Sequence, residues 1–105
     1  MWQKTTGLDG EIYDSKSEAD VADWLLVNDI EYVPHKRLPK PSRSICDFYL
    51  PEYDLWVEYD GLMEVRADNK LERKKAFYEK HGLKFLVITR DHWQRDLLER
   101  IELGG

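Results

Sequence analysis

The sequence predicts an α/β domain in which a mixed sheet lies between helices, in the order α-β-β-β-α-β-α. Stretches with apolar residues at helical spacing alternate with short runs rich in β-branched and aromatic residues. The final strand follows a helix, and such a crossover joins parallel strands, whereas the two strands before that helix are joined by a short turn. The length of 105 residues corresponds to one domain over 1–105.

Composition indicates a globular protein, with 35% charged and 42% apolar residues. Cys46 is the one cysteine, which excludes an internal disulfide framework and leads us to expect a reducing, cytoplasmic environment. Residues 1–6 lack the apolar run of a signal peptide, and no stretch has the length of a membrane span. The net charge of −5 argues against a general nucleic-acid coat but allows a local basic rim.

The first elements are a hairpin and a helix. Residues 1–13 predict either a short hairpin, with a turn at Asp9-Gly10, or an extended lead-in. Ser15 to about Asn28 predicts a helix whose first turn is a capping box of Ser15 and Glu18. On a wheel of about 100° per residue, Glu18 falls near the middle of the buried stripe. It either caps the helix or points inward as part of a site, and the two are compatible. The stripe contains Val21, Ala22, Leu25 and Leu26.

A basic segment follows a short strand at 31–33, which Pro34 is expected to end. Residues 35–44 are predicted to form a proline-rich loop. Five basic residues occur there without an intervening acid: His35, Lys36, Arg37, Lys40 and Arg43. The loop is either a solvated surface or a phosphate-contacting rim, and its position directly before the next strand favours the rim.

Residues 45–61 predict two strands joined by a turn at Pro51, and each strand carries a carboxylate where a core residue is expected. Asp47 shares a face with Ile45 and Tyr49, and Glu58 shares one with Trp56 and Asp60. Two such charges repel unless a cation lies between them, and hard divalent ions such as Mg²⁺ take oxygen ligands. Asp60, before a turn at Gly61, is either a turn residue or a further ligand.

The second helix is predicted from Asp68 to about His81, with Gly82 as its stop signal. Lys74 lies at the centre of its apolar side, where it either snorkels or points at the acidic cluster. The apolar side consists of Ala67, Leu71, Phe77 and Tyr78. A buried strand is expected at 83–89 and a last helix at 91–102. Asp91 is its predicted N-cap, and its inner stripe is Trp93, Leu97 and Ile101.

Four charged residues therefore break the apolar pattern at buried positions, which is typical of functional sites. They are Glu18, Asp47, Glu58 and Lys74. Three carboxylates and a lysine suit metal-assisted attack of water on a phosphodiester.

Several motifs resemble the PD-(D/E)XK nuclease superfamily, which shares the restriction-endonuclease-like fold. Asp47, followed by Glu58 within Trp-Val-Glu-Tyr-Asp-Gly, matches its central pattern. The segment from Gly10 to Leu25 is similar to the opening of junction-resolvase-like and helicase-associated nucleases, and the likeness extends through 74–82. It covers roughly residues 10–92. Two positions depart from the pattern: Asp60 stands where the motif has lysine, and Cys46 where it has proline.

The resemblance implies a Mg²⁺-dependent DNA endonuclease, with Mn²⁺ as a substitute. The implied metal ligands are Asp47, Glu58 and the backbone carbonyl of Tyr59, with Glu18 and Asp60 as further candidates. Lys74 would replace the missing motif lysine. The residues expected to contact DNA phosphates are Lys36, Arg37, Lys40 and Arg43. Specificity, including any preference for branched DNA, would come from dimerisation, a partner protein or DNA shape.

Two other readings remain open from the sequence. One is a nuclease-like fold without activity that binds nucleic acid or a partner. The other is a structural domain in which the Asp47 and Glu58 carboxylates pair with Lys74 or Arg43. The sequence argues against a zinc enzyme, because its histidines and Cys46 lack ligand spacing. Tyrosines 49, 59 and 78 are interpreted as packing residues, as is Cys46.

Overall fold

The computed structural model describes residues 4–60 and 69–104, and this part of the chain folds into three helices and two small sheets. The predicted α/β class with a mixed sheet is confirmed: four strands lie in the order β3-β4-β5-β6. The helices are α1 (Lys16–Val27), α2 (Lys70–Lys80) and α3 (Trp93–Gly104). The strands are β1 (Thr5–Thr6), β2 (Ile12–Tyr13), β3 (Val33–Arg37), β4 (Ile45–Leu50), β5 (Leu55–Asp60) and β6 (Lys84–Thr89).

The predicted N-terminal hairpin is present, with β1 antiparallel to β2. Gly10 has a φ of 86°, a conformation that favours glycine and that the turn requires. The Asp9 carboxylate accepts hydrogen bonds from the hydroxyls of Tyr13, at 2.6 Å, and Tyr32, at 2.5 Å. These bonds attach the hairpin to the segment that precedes β3.

Helix α1 begins as the capping box predicts, because Ser15 Oγ accepts a hydrogen bond from the Glu18 N–H at 3.2 Å. Most of the predicted stripe is buried: Val21, Ala22 and Leu25. The prediction is wrong for Leu26, which is 44% exposed. Leu26 lies at the margin of the stripe in the last turn, where it borders a surface cleft instead of the core.

The prediction that Pro34 ends a strand is wrong, and the predicted loop over 35–44 is confirmed only for 38–44, which contain no helix or strand. Strand β3 continues through Pro34, which pairs with Phe48, and ends at Arg37. Because β3 is an edge strand, the missing N–H of Pro34 is tolerated. Three of the five basic residues, His35, Lys36 and Arg37, therefore belong to a strand, and Lys40 and Arg43 lie in the connection to β4.

The centre of the sheet agrees with the sequence analysis. Strand β4 pairs with β5 in antiparallel fashion across a 3-10 turn at Pro51–Tyr53, and β5 pairs with β6 in parallel through α2. Alternate side chains of β5 enter two buried clusters. Leu55 and Val57 pack with residues of α1 and α3, whereas Trp56 packs with Tyr78 of α2. The helices thus cover both faces of the sheet.

Helix α2 is followed by Gly82 at a φ of 64°, as its stop signal predicts. The predicted helix start at Asp68, the apolar Ala67 and the turn at Gly61 lie outside the described residues. Helix α3 begins at Trp93, so the predicted N-cap Asp91 is wrong, and His92, with a φ of 60°, occupies the preceding position. Its predicted inner stripe does pack against the core. Within 4–60 and 69–104, no helix combines the length and apolar character that crossing a membrane requires.

Candidate active site

The candidate site forms where β4 and β5 separate. Their pairing reaches Phe48 opposite Val57, and the next position holds Asp47 and Glu58. Strand β5 stays paired with β6 as far as Asp60. The Tyr59 N–H donates a hydrogen bond to Asp47 Oδ2, at 2.7 Å. This side-chain oxygen takes the place of a backbone acceptor on β4. The divergence of two strands therefore brings both predicted carboxylates to one place.

Glu58 is 1% exposed, and both of its carboxylate oxygens have a partner. Lys74 Nζ lies 3.0 Å from Oε1, and the Tyr78 hydroxyl donates to Oε2 at 2.5 Å. Burial raises the pKa of Glu58, and the charge of Asp47 raises it further. Lys74 and Tyr78 act in the opposite direction by stabilising the ionised form.

Lys74 connects α2 to both diverging strands. Its Nζ also donates a hydrogen bond to the Ile45 carbonyl oxygen at 2.6 Å, and its side chain is 13% exposed. Its place at the centre of the apolar side of the helix correctly predicted an inward position for Lys74. Of the two salt-bridge partners proposed for the carboxylates, the structure shows Lys74 with Glu58.

Glu18 and Asp47 form a second carboxyl pair, joined by a hydrogen bond between their side chains. Burial, followed by the negative charge of Asp47, raises the pKa of Glu18 to about 7. Burial also raises the pKa of Asp47, against the Tyr59 hydrogen bond and the charge of Lys74. With a pKa of about 7, Glu18 holds a proton below neutral pH, and its hydrogen bond to Asp47 places that proton between the two carboxyl groups. The capping and inward roles of Glu18 coexist, since Ser15 Oγ lies 3.5 Å from Oε2.

His35 is a site neighbour that the sequence analysis placed in a loop. The pairing of β3 with β4 skips one position, where His35 stands opposite Asp47. Its φ is 53°, a left-handed conformation that costs a non-glycine residue about 1–3 kcal/mol. The imidazole packs on Tyr13, with 5.4 Å between ring centroids, and its charge acts on Asp47. The only sequence signal was its place at the start of the basic segment.

Tyr78 is buried in a core cluster, as its interpretation as a packing residue implies, and its hydroxyl also donates a hydrogen bond to Glu58. The available signal was its spacing, since residues four apart lie on one face of a helix and Tyr78 follows Lys74 by four. Tyr49 packs against Trp56, and Tyr59 packs against the core. Cys46 is fully buried beside Tyr78, as a packing cysteine should be.

The predicted rim is spread over β3 and the following connection. Arg37, Lys40 and Arg43 are exposed, whereas Lys36 is half-buried with its Nζ 5.3 Å from the centroid of the Tyr49 ring. Asp60 ends β5 opposite Thr89 of β6. It lies two residues beyond Glu58 and therefore on the same face of the strand.

The side chains at this site differ in how well they suit a divalent cation, which takes oxygen ligands. Among the described residues, no cluster of three or more His, Cys, Asp and Glu side chains is arranged to hold a metal ion. The pair of Glu18 and Asp47 nevertheless offers oxygen donors whose shared proton a hard cation would replace. Both Glu58 oxygens already accept hydrogen bonds, but each retains a second lone pair. The described residues around Asp47 thus offer oxygen donors of the kind that Mg²⁺ takes, but not a complete set of ligands.

Comparison of the chain with models of protein families, with curated proteins and with solved structures found no match. The function must therefore be inferred from the fold and from the contacts of these side chains.

Proposed function

We propose that the chain is a metal-dependent DNA endonuclease of the PD-(D/E)XK type, with a restriction-endonuclease-like core. One observation carries this proposal: Asp47 and Glu58 occupy adjacent positions where β4 and β5 diverge, and the buried Lys74 contacts Glu58. A buried carboxylate pair is costly for stability, and such violations are typical of catalytic sites. Glu18 adds a third carboxyl through its hydrogen bond to Asp47.

The chain's own residues have distinct parts in this proposal. Asp47 and Glu18 bind Mg²⁺ or Mn²⁺, with Glu58 and the Tyr59 carbonyl as further ligands and Asp60 as a candidate. A bound divalent ion supplies polarisation of the phosphoryl group and acidification of water. Lys74 stabilises negative charge that develops on the phosphate, and its bonds to Glu58 and Ile45 hold the ammonium in place. Tyr78 fixes the orientation of Glu58.

The basic rim provides DNA binding without base recognition. Three of its cations, Arg37, Lys40 and Arg43, are exposed and available to phosphates. A preference for branched DNA would come from shape, from dimerisation or from a partner protein. The reducing cytoplasm is the compartment that suits the buried thiol of Cys46.

An inactive nuclease-like binding module is the second candidate function. It is favoured by the complete pairing of Glu58, whose two oxygens contact Lys74 and Tyr78. This alternative predicts metal-independent DNA or partner binding without cleavage.

Cleavage of a DNA panel separates the two candidates. The panel contains supercoiled plasmid, single strand, splayed duplex and four-way junction, each incubated with EDTA, Mg²⁺ or Mn²⁺. Asp47→Asn and Lys74→Met should abolish cleavage, whereas Lys75→Met should not, because Lys75 makes an exposed pair with Glu72 on the same helix. Metal-dependent cleavage with this pattern supports the nuclease. Binding of DNA without cleavage by the wild type would favour the inactive module.

A further inference from the structure

A surface cleft of about 460 Å³ lies at the C-terminal end of α1. Its lining residues are Leu26, Asp29, Ile30, Glu31, Tyr32 and Glu52. Leu26 is about 12 Å along the helix axis from Glu18, so the cleft is separate from the carboxylate site. Its volume falls within the range of pockets that bind ligands, roughly 300–1,000 Å³.

One wall of the cleft is apolar, and contacts within the chain already hold it in place before any ligand binds. The Tyr32 ring is held by the hydrogen bond of its hydroxyl to Asp9 and by an edge contact with Phe48, with 6.2 Å between centroids. Leu26 is 44% exposed, and the adjacent Val27 is 73% exposed. The apolar surface therefore extends past the cleft itself.

The other side chains that line the cleft are acidic, and no described cation pairs with them. Asp29, Glu31 and Glu52 are exposed, and none of their carboxylates makes an ion pair or hydrogen bond with another described residue. Among the residues that the structure describes, no lysine, arginine or histidine lines the cleft. Helix α1 also lacks a basic residue in its last turn, so the partial negative charge of its C-terminus adds to the field. The aromatic and aliphatic side chains of the cleft are thus surrounded by negative charge.

We propose that this cleft is a docking site for a basic segment of a partner protein, which inserts an arginine side chain. The planar guanidinium stacks on an aromatic ring such as Tyr32 and pairs with carboxylates through two parallel hydrogen bonds. An apolar residue next to the arginine covers Leu26 and Val27, which a small organic cation would leave exposed. The site is independent of the proposed nuclease, and a partner bound there leaves the carboxylate site open.

The test is an NMR titration of the intact ¹⁵N-labelled chain with two matched peptides. The first is acetyl-Leu-Ala-Arg-Ala-Leu-amide, and the second carries glutamine in place of arginine. We expect saturable shifts of the amides of Leu26, Ile30 and Tyr32 with the arginine peptide. Binding of the glutamine peptide should be weaker by about tenfold or more, since a hydrogen bond to a charged group is lost.

Two matched double variants test whether the arginine peptide binds at the cleft. The double variant Glu31→Gln/Glu52→Gln should weaken binding of the arginine peptide by about tenfold. Glu99→Gln/Glu102→Gln, which removes the same charge from exposed positions of α3, should leave its affinity unchanged.

Four results would overturn the proposal. They are the absence of shifts with the arginine peptide, equal binding of the glutamine peptide, equal binding of N-acetylarginine amide, and concentration-dependent shifts of the same amides in the chain alone. The third would assign the cleft to a small cation, and the fourth to a second copy of the chain.

Discussion

The ammonium group of Lys74 lies 3.0 Å from Glu58 Oε1 and 2.6 Å from the carbonyl oxygen of Ile45. A single side chain of α2 thereby joins the ends of β4 and β5 at the point where they separate. Because Glu58 is almost fully buried, the pair bears on the stability of the fold as well as on the proposed chemistry.

Lys74→Met should destabilise the fold by about 3 kcal/mol, because it leaves a buried carboxylate without its cation. Urea unfolding at pH 7 measures the loss. Adding Glu58→Gln should restore part of it. Lys75→Met is the control, with an expected change within about 0.5 kcal/mol, as its pair is exposed. Equal stability of the Lys74 and Lys75 variants would contradict the buried pair.

Tyr78→Phe removes one hydrogen bond to Glu58 and should cost about 1–3 kcal/mol, since a buried acceptor is left unsatisfied. It should also lower the rate of DNA cleavage. Tyr49→Phe removes an exposed hydrogen bond to Asp54 and should cost less. Thermal unfolding of both variants provides the comparison, and a Tyr78 variant as stable and active as the wild type would exclude an orienting role.

Glu18 should make stability depend on pH. Its pKa is raised from the ordinary 4.5 to about 7, so the folded chain retains a proton that the unfolded chain has lost. Stability is therefore fully present below pH 4.5 and falls as the pH rises through about 7. Glu18→Gln should match the wild type at pH 4 and exceed it at pH 8 by on the order of 2 kcal/mol. Unfolding curves of the variant and the wild type at both pH values measure this difference, and Glu99→Gln at an exposed position is the control.

Divalent cations should stabilise the folded chain, because they replace the proton shared by Glu18 and Asp47. With a Kd near 1 mM, 10 mM Mg²⁺ adds about 1.4 kcal/mol and raises Tm by about 5 °C at pH 8. The gain should be smaller at pH 6, where the proton competes, and absent in Asp47→Asn. The exposed Asp91→Asn should retain it. An identical Tm with Mg²⁺ and with EDTA would count against the metal site.

His35→Gly should raise the stability of the chain and lower its rate of DNA cleavage. Glycine accepts the φ of 53° without strain, so the variant should gain about 1 kcal/mol while it loses the imidazole beside Asp47. We expect slower cleavage together with a higher Tm. His92→Gly, at a φ of 60° before α3, should gain similar stability at unchanged cleavage. A drop in both Tm and activity for His35→Gly would show that the side chain is structural.

Local signals predicted most of the fold, because they depend on short-range chemistry. The Ser15 cap and the Gly82 stop each follow from a few adjacent residues, and the parallel crossover to β6 follows from the order of strand, helix and strand. The inward direction of Lys74 followed from helix periodicity, and so did that of Glu18. The sequence could not show that Pro34 lies in an edge strand, because only the strand order makes its missing N–H harmless.

The site was predicted less completely for a similar reason. Asp47 and Glu58 stood out as charges inside apolar strands, whereas Tyr78 resembled an ordinary core aromatic until its hydroxyl was seen to contact Glu58. The opposition of His35 and Asp47 depends on the register of β3 against β4, which no local pattern specifies.

The irregular edge of β3 has a further consequence for how the chain behaves at high concentration. An open sheet edge is a template on which strands of other molecules can add, which leads to aggregation. In β3, Pro34 offers no donor, the left-handed His35 interrupts the straight ladder, and Lys36 and Arg37 place charge along the edge. The same backbone kink that stands opposite Asp47 therefore discourages edge-to-edge association and helps to keep the chain in solution.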